Sequence, residues 1–371
     1  MSQPTEAGVA SYVSSVSADQ AERGWRVVVA CPDGGRLAGE LARRGIDREL
    51  WPAGRAPDLR CALEVARLRR LIDRLGPDVI HLHSSKAGLA GRLAARGQPP
   101  TLFQPHGWSW LAAPPGLARA SCAWERLAAQ WTARFVLVGP GEVRHAGEQG
   151  LRGRFSIVRT GIDLAWFRPA GDGDRERARR GLGLSTAAPL AVCVGRVTRQ
   201  KGQDLLLAAW PGVRVAIANA QLAIVGGGEL AAPRANAPAG VIFAGDVADT
   251  RPWYDAADLV VLPSRWEGMP LTLLEALATG RSVVASDVPG IAEELPAGAG
   301  VLVRIGDLAG LASAIRARLG DPDLARREGA VAAAYAQAEV DVRRSHDRLA
   351  ALTMQVATGR SGGHCRPNAA R

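Results

Sequence analysis

Short apolar runs recur along this chain and alternate with stretches whose apolar positions fall at helical spacing. The first series of strand candidates is Trp25–Ala30, Val79–His83, Thr101–Gln104, Phe135–Val138 and Ser156–Val158. A second series comprises Leu190–Gly195, Gln221–Val225, Val241–Ala244, Leu259–Leu262, Ser282–Ala285 and Val301–Val303. Amphipathic helices such as Leu59–Leu75 and Leu271–Ala278 lie between them. This alternation predicts parallel sheets whose crossover helices cover both faces. The series pauses at Gly161–Gly173, rich in Gly, Pro and Asp, which marks a domain boundary. The expected organisation is an N-terminal Rossmann-like domain over 1–165 and a ligand-binding domain over 166–338. A helix at 339–356 could pack back on the first domain, and a disordered tail is expected over 357–371. The fold class is α/β: two doubly wound, Rossmann-like domains facing a cleft, with ligands at the carboxyl ends of the strands. Nothing repeats at a short fixed period.

Two segments depart from the pattern. Met1–Ala7 is polar and contains Pro4, and the first helix begins near Gly8. The first strand of a doubly wound sheet is central and buried on both faces. The N-terminal domain is therefore expected to lack its first strand in this chain, and a longer form with an apolar segment joined to Ser2 is expected to be more soluble and active. Pro211–Ala220 reads as an irregular helix.

Composition narrows the function. A chain of 371 residues that is 47% hydrophobic suits two cores. It carries no apolar run long enough to cross a bilayer and no charged segment leading into an apolar one, so a cytoplasmic protein is expected. Five cysteines, an odd count without metal-like spacing, read as reduced thiols. The formal charge of +10 invites a nucleic-acid reading. The arginines, however, are scattered along helical segments without interleaved aromatics, which argues against nucleic acid. The excess is uneven: 22 basic and 15 acidic residues over 1–165 give +7, and 24 and 21 over 166–371 give +3. An anionic membrane surface would favour such a split, and a solvated Arg-rich surface would also produce it. Only two of the 46 basic residues are lysines, Lys86 and Lys201, which suggests positions where a compact point charge is needed.

The strongest chemical signal is Pro263-Ser264-Arg265-Trp266-Glu267-Gly268-Met269-Pro270-Leu271-Thr272-Leu273-Leu274-Glu275-Ala276, which follows the strand Leu259–Leu262. Pro270 suits the first turn of a helix, and amides near Gly268, Met269 and Leu271 would face an anion. Glu267 in the loop and Glu275 inside the helix can accept hydrogen bonds from hydroxyls on different parts of one ligand. The turn Gly195-Arg196-Val197-Thr198-Arg199-Gln200-Lys201-Gly202 follows another strand. Two cations there can neutralise a diphosphate leaving group, although a plain basic turn capping a helix has the same residues. Gly226-Gly227-Gly228-Glu229 would let a ligand approach the backbone, and a plain strand-to-helix turn would also use glycines. Phe243–Val247 is a place where backbone groups could read a base. His106 follows the strand Thr101–Gln104 and precedes Gly107, which places it at a ligand end; His81 and His83 read as structural, with Ser84–Lys86 a possible acceptor lining. Asp172-Gly173-Asp174 lies in the linker and reads as a solvated turn rather than a metal site.

The Glu-x7-Glu stretch, the Gly-Arg-x4-Lys-Gly turn and the Gly-Gly-Gly-Glu turn resemble the family 4 retaining glycosyltransferases of the GT-B fold. The resemblance runs from about Gly8 to about Val356 and is most specific over 190–296. His81–Gly88 and Pro105-His106-Gly107-Trp108 resemble members that build exopolysaccharide or lipid-linked glycans. The resemblance implies that Arg196 and Lys201 hold the donor phosphates, Glu275 the ribose and Glu267 the sugar hydroxyls. It implies that His106 reaches the transferred sugar from the opposing domain. Gly8 stands where the family's Gly-Gly turn near the phosphates is expected, with Ala7 in place of the other glycine. Implied too are a UDP- or GDP-linked sugar donor, a glycan or polyprenyl-linked acceptor, retention of configuration, and a reaction without metal or other cofactor. Two alternatives stay open: a GT-B-type sugar-nucleotide epimerase, which needs no acceptor, and a non-catalytic sugar-nucleotide-binding protein.

Overall fold

The structure, a computed structural model, describes all residues except 4, 55–57, 59, 112, 172, 229–236 and 360–371. It forms two compact units. The first comprises Met1–Leu137, Val143–Val158 and the chain from His346 onward; the second comprises Val138–Glu142 and Arg159–Ser345.

In the first unit, helix α1 (Ala7–Glu22) leads to β1 (Val28–Cys31), α2 (Gly35–Arg43) and β2 (Asp47–Leu50). Then come α3 (Cys61–Leu75), β3 (Ile80–His83), α4 (Ser84–Ala95), β4 (Thr101–Gln104), α5 (Pro115–Ala128), β5 (Arg134–Leu137), α6 (Pro140–Glu148) and β6 (Phe155–Ile157). All pairings are parallel: β1 with β2 in one sheet, and β3-β4-β5-β6 in another. No strand precedes β1 among the described residues. Met1 and Ser2 lie between the two sheets: Ser2 N donates to Ala30 O at 3.0 Å, and His83 N donates to Met1 O at 2.9 Å.

Successive residues of β4 and β5 point to opposite faces, as a pleated strand requires. Phe103, Phe135 and Leu137 join Ile80, Leu82 and the alanines of α4 in one core. Leu102 and Val136 join Tyr12 and Val16 of α1, and Leu349 and Leu352, in another. Burying each large side chain contributes about 1.5–3 kcal/mol. Two buried ion pairs fasten the helices around α4: Lys86 to Glu64 of α3 at 2.7 Å, and Arg92 to Glu125 of α5 at 2.7 Å.

The second unit contains α7 (Asp174–Gly181), β7 (Leu190–Val194), α8 (Gln203–Ala216), β8 (Gln221–Val225), β9 (Val241–Gly245), α9 (Arg251–Ala256), β10 (Leu259–Leu262) and α10 (Leu271–Ala278). It continues with β11 (Ser282–Ser286), α11 (Pro289–Ala292), β12 (Gly300–Val303), α12 (Leu308–Leu319) and α13 (Pro322–Glu339). Its six strands run in the order β12-β11-β10-β7-β8-β9, all parallel. Leu190, Val192 and Val194 enter the core on one face, and Ala191 and Cys193 the core on the other. This sheet is buried on both sides, which is why its strands read as unbroken apolar runs. The last helix, α14 (Val342–Ala357), begins in the second unit and from His346 belongs to the first. No helix among the described residues is long and apolar enough to cross a membrane.

Two local expectations are corrected. Helix α8 runs unbroken through Pro211 to Ala216, because Leu206, Leu207, Trp210 and Val213 bury one face of it in the core. The lost hydrogen bond of the imino nitrogen is outweighed by that packing. The first strand begins at Val28 rather than Trp25, and β2 was not read from the sequence at all. Three of its four residues, Asp47, Arg48 and Glu49, are charged, and the strand is mostly exposed at a sheet edge.

Candidate active site

In the second unit, β7 and β10 are neighbours, and the chain leaves them in opposite directions across the sheet. This is a topological switch point, where diverging loops open a crevice at the carboxyl ends of strands. The loops after these two strands are the two charged motifs, Gly195–Gly202 and Pro263–Pro270. They are in direct contact. Gly202 has φ +67°, and a Cβ there would overlap the Pro263 carbonyl, so only glycine lets the backbones approach this closely. Arg265 closes the junction. Its amide donates to Gln200 O at 2.8 Å, and its guanidinium donates to Arg199 O at 2.8 Å and to both Asp204 carboxylate oxygens at 2.6 and 2.8 Å.

The glycine turn after β8 joins the same framework. Gly226, at φ +134°, abuts the Gly195 carbonyl. Gly227 O accepts from Val197 N at 2.8 Å, and Gly227 N donates to Asp246 Oδ1 at 2.6 Å. Glu229 lies outside the described residues.

The charged groups sit on this frame. Lys201 Nζ donates to Glu267 Oε1 at 2.7 Å, with the side chains 18% and 6% exposed. Ser264 Oγ donates to the same oxygen at 2.7 Å. Arg196, by contrast, extends an exposed side chain, and its carbonyl accepts from Gln203 at 3.0 Å. Pro270 is the N-cap of α10 rather than a residue of its first turn, and no side chain caps the helix. Met269 and Leu271 pack their side chains against the core, with Gly268 just ahead of them. Glu275 accepts from Tyr254 Oη at 2.6 Å. Burial, and then the adjacent Glu275, push the Tyr254 hydroxyl well above its ordinary range, so it remains a donor. The sequence reading missed Tyr254, Asp246, Ser264 and Arg265 as partners of the motif residues. Arg265, Ser264 and Asp246 carried a signal, lying inside stretches the sequence singles out; Tyr254 carried none.

The first unit contributes a separate constellation. His106 follows β4 at φ +54°, a region that costs a non-glycine residue about 1–3 kcal/mol. Its Nε2 lies 3.1 Å from Nδ1 of the buried His83. Tyr12 meets its ring edge-on, with centroids 5.0 Å apart, and the His81 and His83 rings are 4.0 Å apart. Burial pushes His106 down to about 3. It also lowers His81 and His83 well below the ordinary histidine range, and a proton on either would in addition be repelled by one on the amino terminus or on a neighbouring ring. The three rings are neutral near pH 7. His83 is buried, as a structural histidine would be, yet it holds the candidate site residue. Lys86 is a correction: it is not an acceptor lining but is buried against Glu64, because an ammonium removed from water needs a counter-charge. Gly8 lies in the first turn of α1. Asp172 lies outside the described residues; Asp174, read from the sequence as part of a solvated turn, is instead the first residue of α7, where it is partly exposed, accepts from Gly171 N at 2.7 Å and pairs with Arg177.

The profile described as "Glycosyl transferases group 1" matches residues 188–321, and that described as "Glycosyltransferase Family 4" matches residues 7–166. Alpha-maltose-1-phosphate synthase of Mycolicibacterium smegmatis is 33% identical over 282 residues, covering 68% of this chain and 72% of that protein. The chain belongs to glycosyltransferase family 4. The lipopolysaccharide core biosynthesis mannosyltransferase LpsB of Rhizobium meliloti is 34% identical to this family member over 180 residues, covering 45% of this chain and 51% of LpsB. The chain spans about half the length of several such curated relatives. HepE of Anabaena, solved with UDP and glucose, has the same fold: TM-score 0.81 at 19% identity, over 95% of this chain and 97% of HepE. The two doubly wound, parallel domains are therefore those of the GT-B fold.

Proposed function

We propose that this chain transfers a sugar, with retention of anomeric configuration, from a UDP- or GDP-linked donor to a glycan or lipid-linked acceptor in surface polysaccharide or glycoconjugate synthesis. The observation that carries this reading is the Lys201–Glu267 pair, held between two strand-end loops at the switch point of the second sheet. In this reading Lys201 and Arg196 neutralise the diphosphate as the bond from its oxygen to the sugar C1 breaks. The acceptor oxygen bonds to C1 on the same face and its proton passes to the departing diphosphate. Glu275 accepts from the ribose hydroxyls, amides near Gly268, Met269 and Leu271 receive the phosphates, and Glu267 contacts the transferred sugar; in the first unit His106 contacts substrate. Gly226 and Gly227 admit the donor close to the backbone. Because two cationic side chains supply the neutralising charge, the reaction needs no metal, and EDTA should leave it undiminished. The named chemistry of LpsB, a mannosyltransferase of lipopolysaccharide core biosynthesis, supports the acceptor class.

The test is mass spectrometry of products from a panel of nucleotide sugars with polyprenyl-linked acceptors, and NMR of the new anomeric centre. A glycosylated acceptor with the donor's configuration is expected. An isomerised donor without acceptor would make the chain an epimerase, and binding without turnover a sugar-nucleotide-binding protein. The +7 charge of residues 1–165 supports action at the cytoplasmic face of an anionic membrane. Sedimentation with anionic vesicles at low salt, lost at high salt, is the expected result; equal binding to neutral vesicles would refute it.

A further inference from the structure

We propose that His83 is a positioning residue: it fixes the ring orientation and the tautomer of His106, and so decides which polar atom His106 offers to substrate. This rests on the reading that His106 contacts substrate. The geometry supplies the argument. His106 has two ring nitrogens, and Nε2 lies 3.1 Å from His83 Nδ1. A neutral imidazole carries one proton, so one ring of the pair donates and the other accepts. The bond therefore commits the single His106 proton, either to Nε2 within the pair or to Nδ1, the nitrogen left to meet a ligand. A second-ring hydrogen bond is the usual device for setting a histidine tautomer.

The surroundings leave His83 rigid enough to serve. It ends β3, is only 4% exposed, and lies against His81 on the same strand. Tyr12 of α1 meets both rings edge-on, at 5.9 Å from His83 and 5.0 Å from His106. His106 is partly exposed and held at φ +54°, a conformation that surrounding contacts must sustain. A buried histidine bonded to a partly exposed, strained one is the arrangement expected when one ring orients and the other reaches out.

Two variants test this. His83→Leu removes the ring nitrogens and keeps a side chain of similar size beside His81, Tyr12 and His106. His83→Asn retains a polar amide near the position of Nδ1. The readouts are kcat, donor KM and the 15N shifts of the His106 ring in histidine-labelled protein. For His83→Leu, kcat is expected to fall about 10-fold or more with donor KM within about 3-fold, because orientation of a reacting group acts on the transition state. The His106 15N shifts should move as well. His83→Asn should restore most of kcat and the wild-type shifts. Unchanged kcat in His83→Leu, or an Asn variant as impaired as the Leu variant, would overturn the proposal. If the wild-type chain turns over no nucleotide sugar, the functional reading fails. The 15N comparison still decides whether His83 sets the His106 tautomer, and unmoved shifts in His83→Leu would overturn that too.

Discussion

Lys201→Ala separates a catalytic from a merely structural role for the loop after β7. In the resting protein the ammonium lies 2.7 Å from Glu267 Oε1, and that carboxylate is only 6% exposed. Truncating Lys201 therefore has two consequences. It leaves Glu267 with Ser264 as its close donor, and removing one member of a largely desolvated pair typically costs about 2–5 kcal/mol. The pair is still partly wetted through Lys201, which places the stability loss at the low end, about 2 kcal/mol. It also withdraws a cation from the developing charge on the diphosphate, worth about 2–4 kcal/mol of transition-state stabilisation. That corresponds to a fall of roughly 30- to 1000-fold in kcat/KM. Urea denaturation and initial rates, read in parallel on Lys201→Ala and on the double variant Lys201→Ala/Glu267→Gln, distinguish the two. Neutralising Glu267 should restore most of the stability and none of the turnover. A single variant within about 3-fold of wild-type kcat/KM would refute the assignment of Lys201 to the leaving group.

Tyr254→Phe removes the hydroxyl that donates to Glu275 at 2.6 Å and nothing else. A hydrogen bond to a charged group is worth about 1.5–3 kcal/mol, so donor KM should rise roughly 10- to 100-fold with kcat little changed; steady-state kinetics with varied donor checks this. Arg92→Met strands Glu125 in a site where both side chains are at most 3% exposed, and should destabilise the first unit by about 3–5 kcal/mol. The paired change with Glu125→Leu should recover much of this in urea melts. Acid sensitivity follows from the histidines. His106 is depressed to about 3 in the folded chain from about 6.5 unfolded, so its contribution is complete above pH 6.5 and lost as pH falls toward 3. At pH 5.5 the loss from His106 alone is about 1.4 kcal/mol. His81, His83 and the buried Met1 amino group, lowered to about 5, act with the same sign. Urea midpoints at pH 7.5 and 5.5 should differ accordingly, and equal midpoints would contradict the burial of these rings.

Much of the fold was legible because the second sheet is buried on both faces. Val192 and Cys193 need not alternate with polar residues, so apolar runs such as Gln221–Val225 and Leu259–Leu262 stand out with their boundaries. The edge strand Asp47–Leu50 was invisible for the opposite reason: backbone pairing with β1 holds it, and its side chains face solvent. At the site, the motif residues were readable one at a time, yet their connections were not. Nothing in local spacing announces that Tyr254 reaches Glu275 or that His83 reaches His106. Each contact joins residues brought together by neighbouring elements of the fold. Pro211 misled because a propensity argument ignores how much Trp210 and Val213 gain by packing.

The scarcity of lysine has a practical corollary. Of the chain's two ε-amines, Lys86 is 3% exposed and locked against Glu64, whereas Lys201 retains 18% exposure. Acylating reagents applied to the folded protein thus have, apart from the amino terminus, a single reachable target, and it stands in the loop that would receive the donor. Mass-spectrometric footprinting with such a reagent becomes a direct gauge of donor occupancy: modification at residue 201 should fall as a nucleoside diphosphate is added, with Lys86 unlabelled throughout.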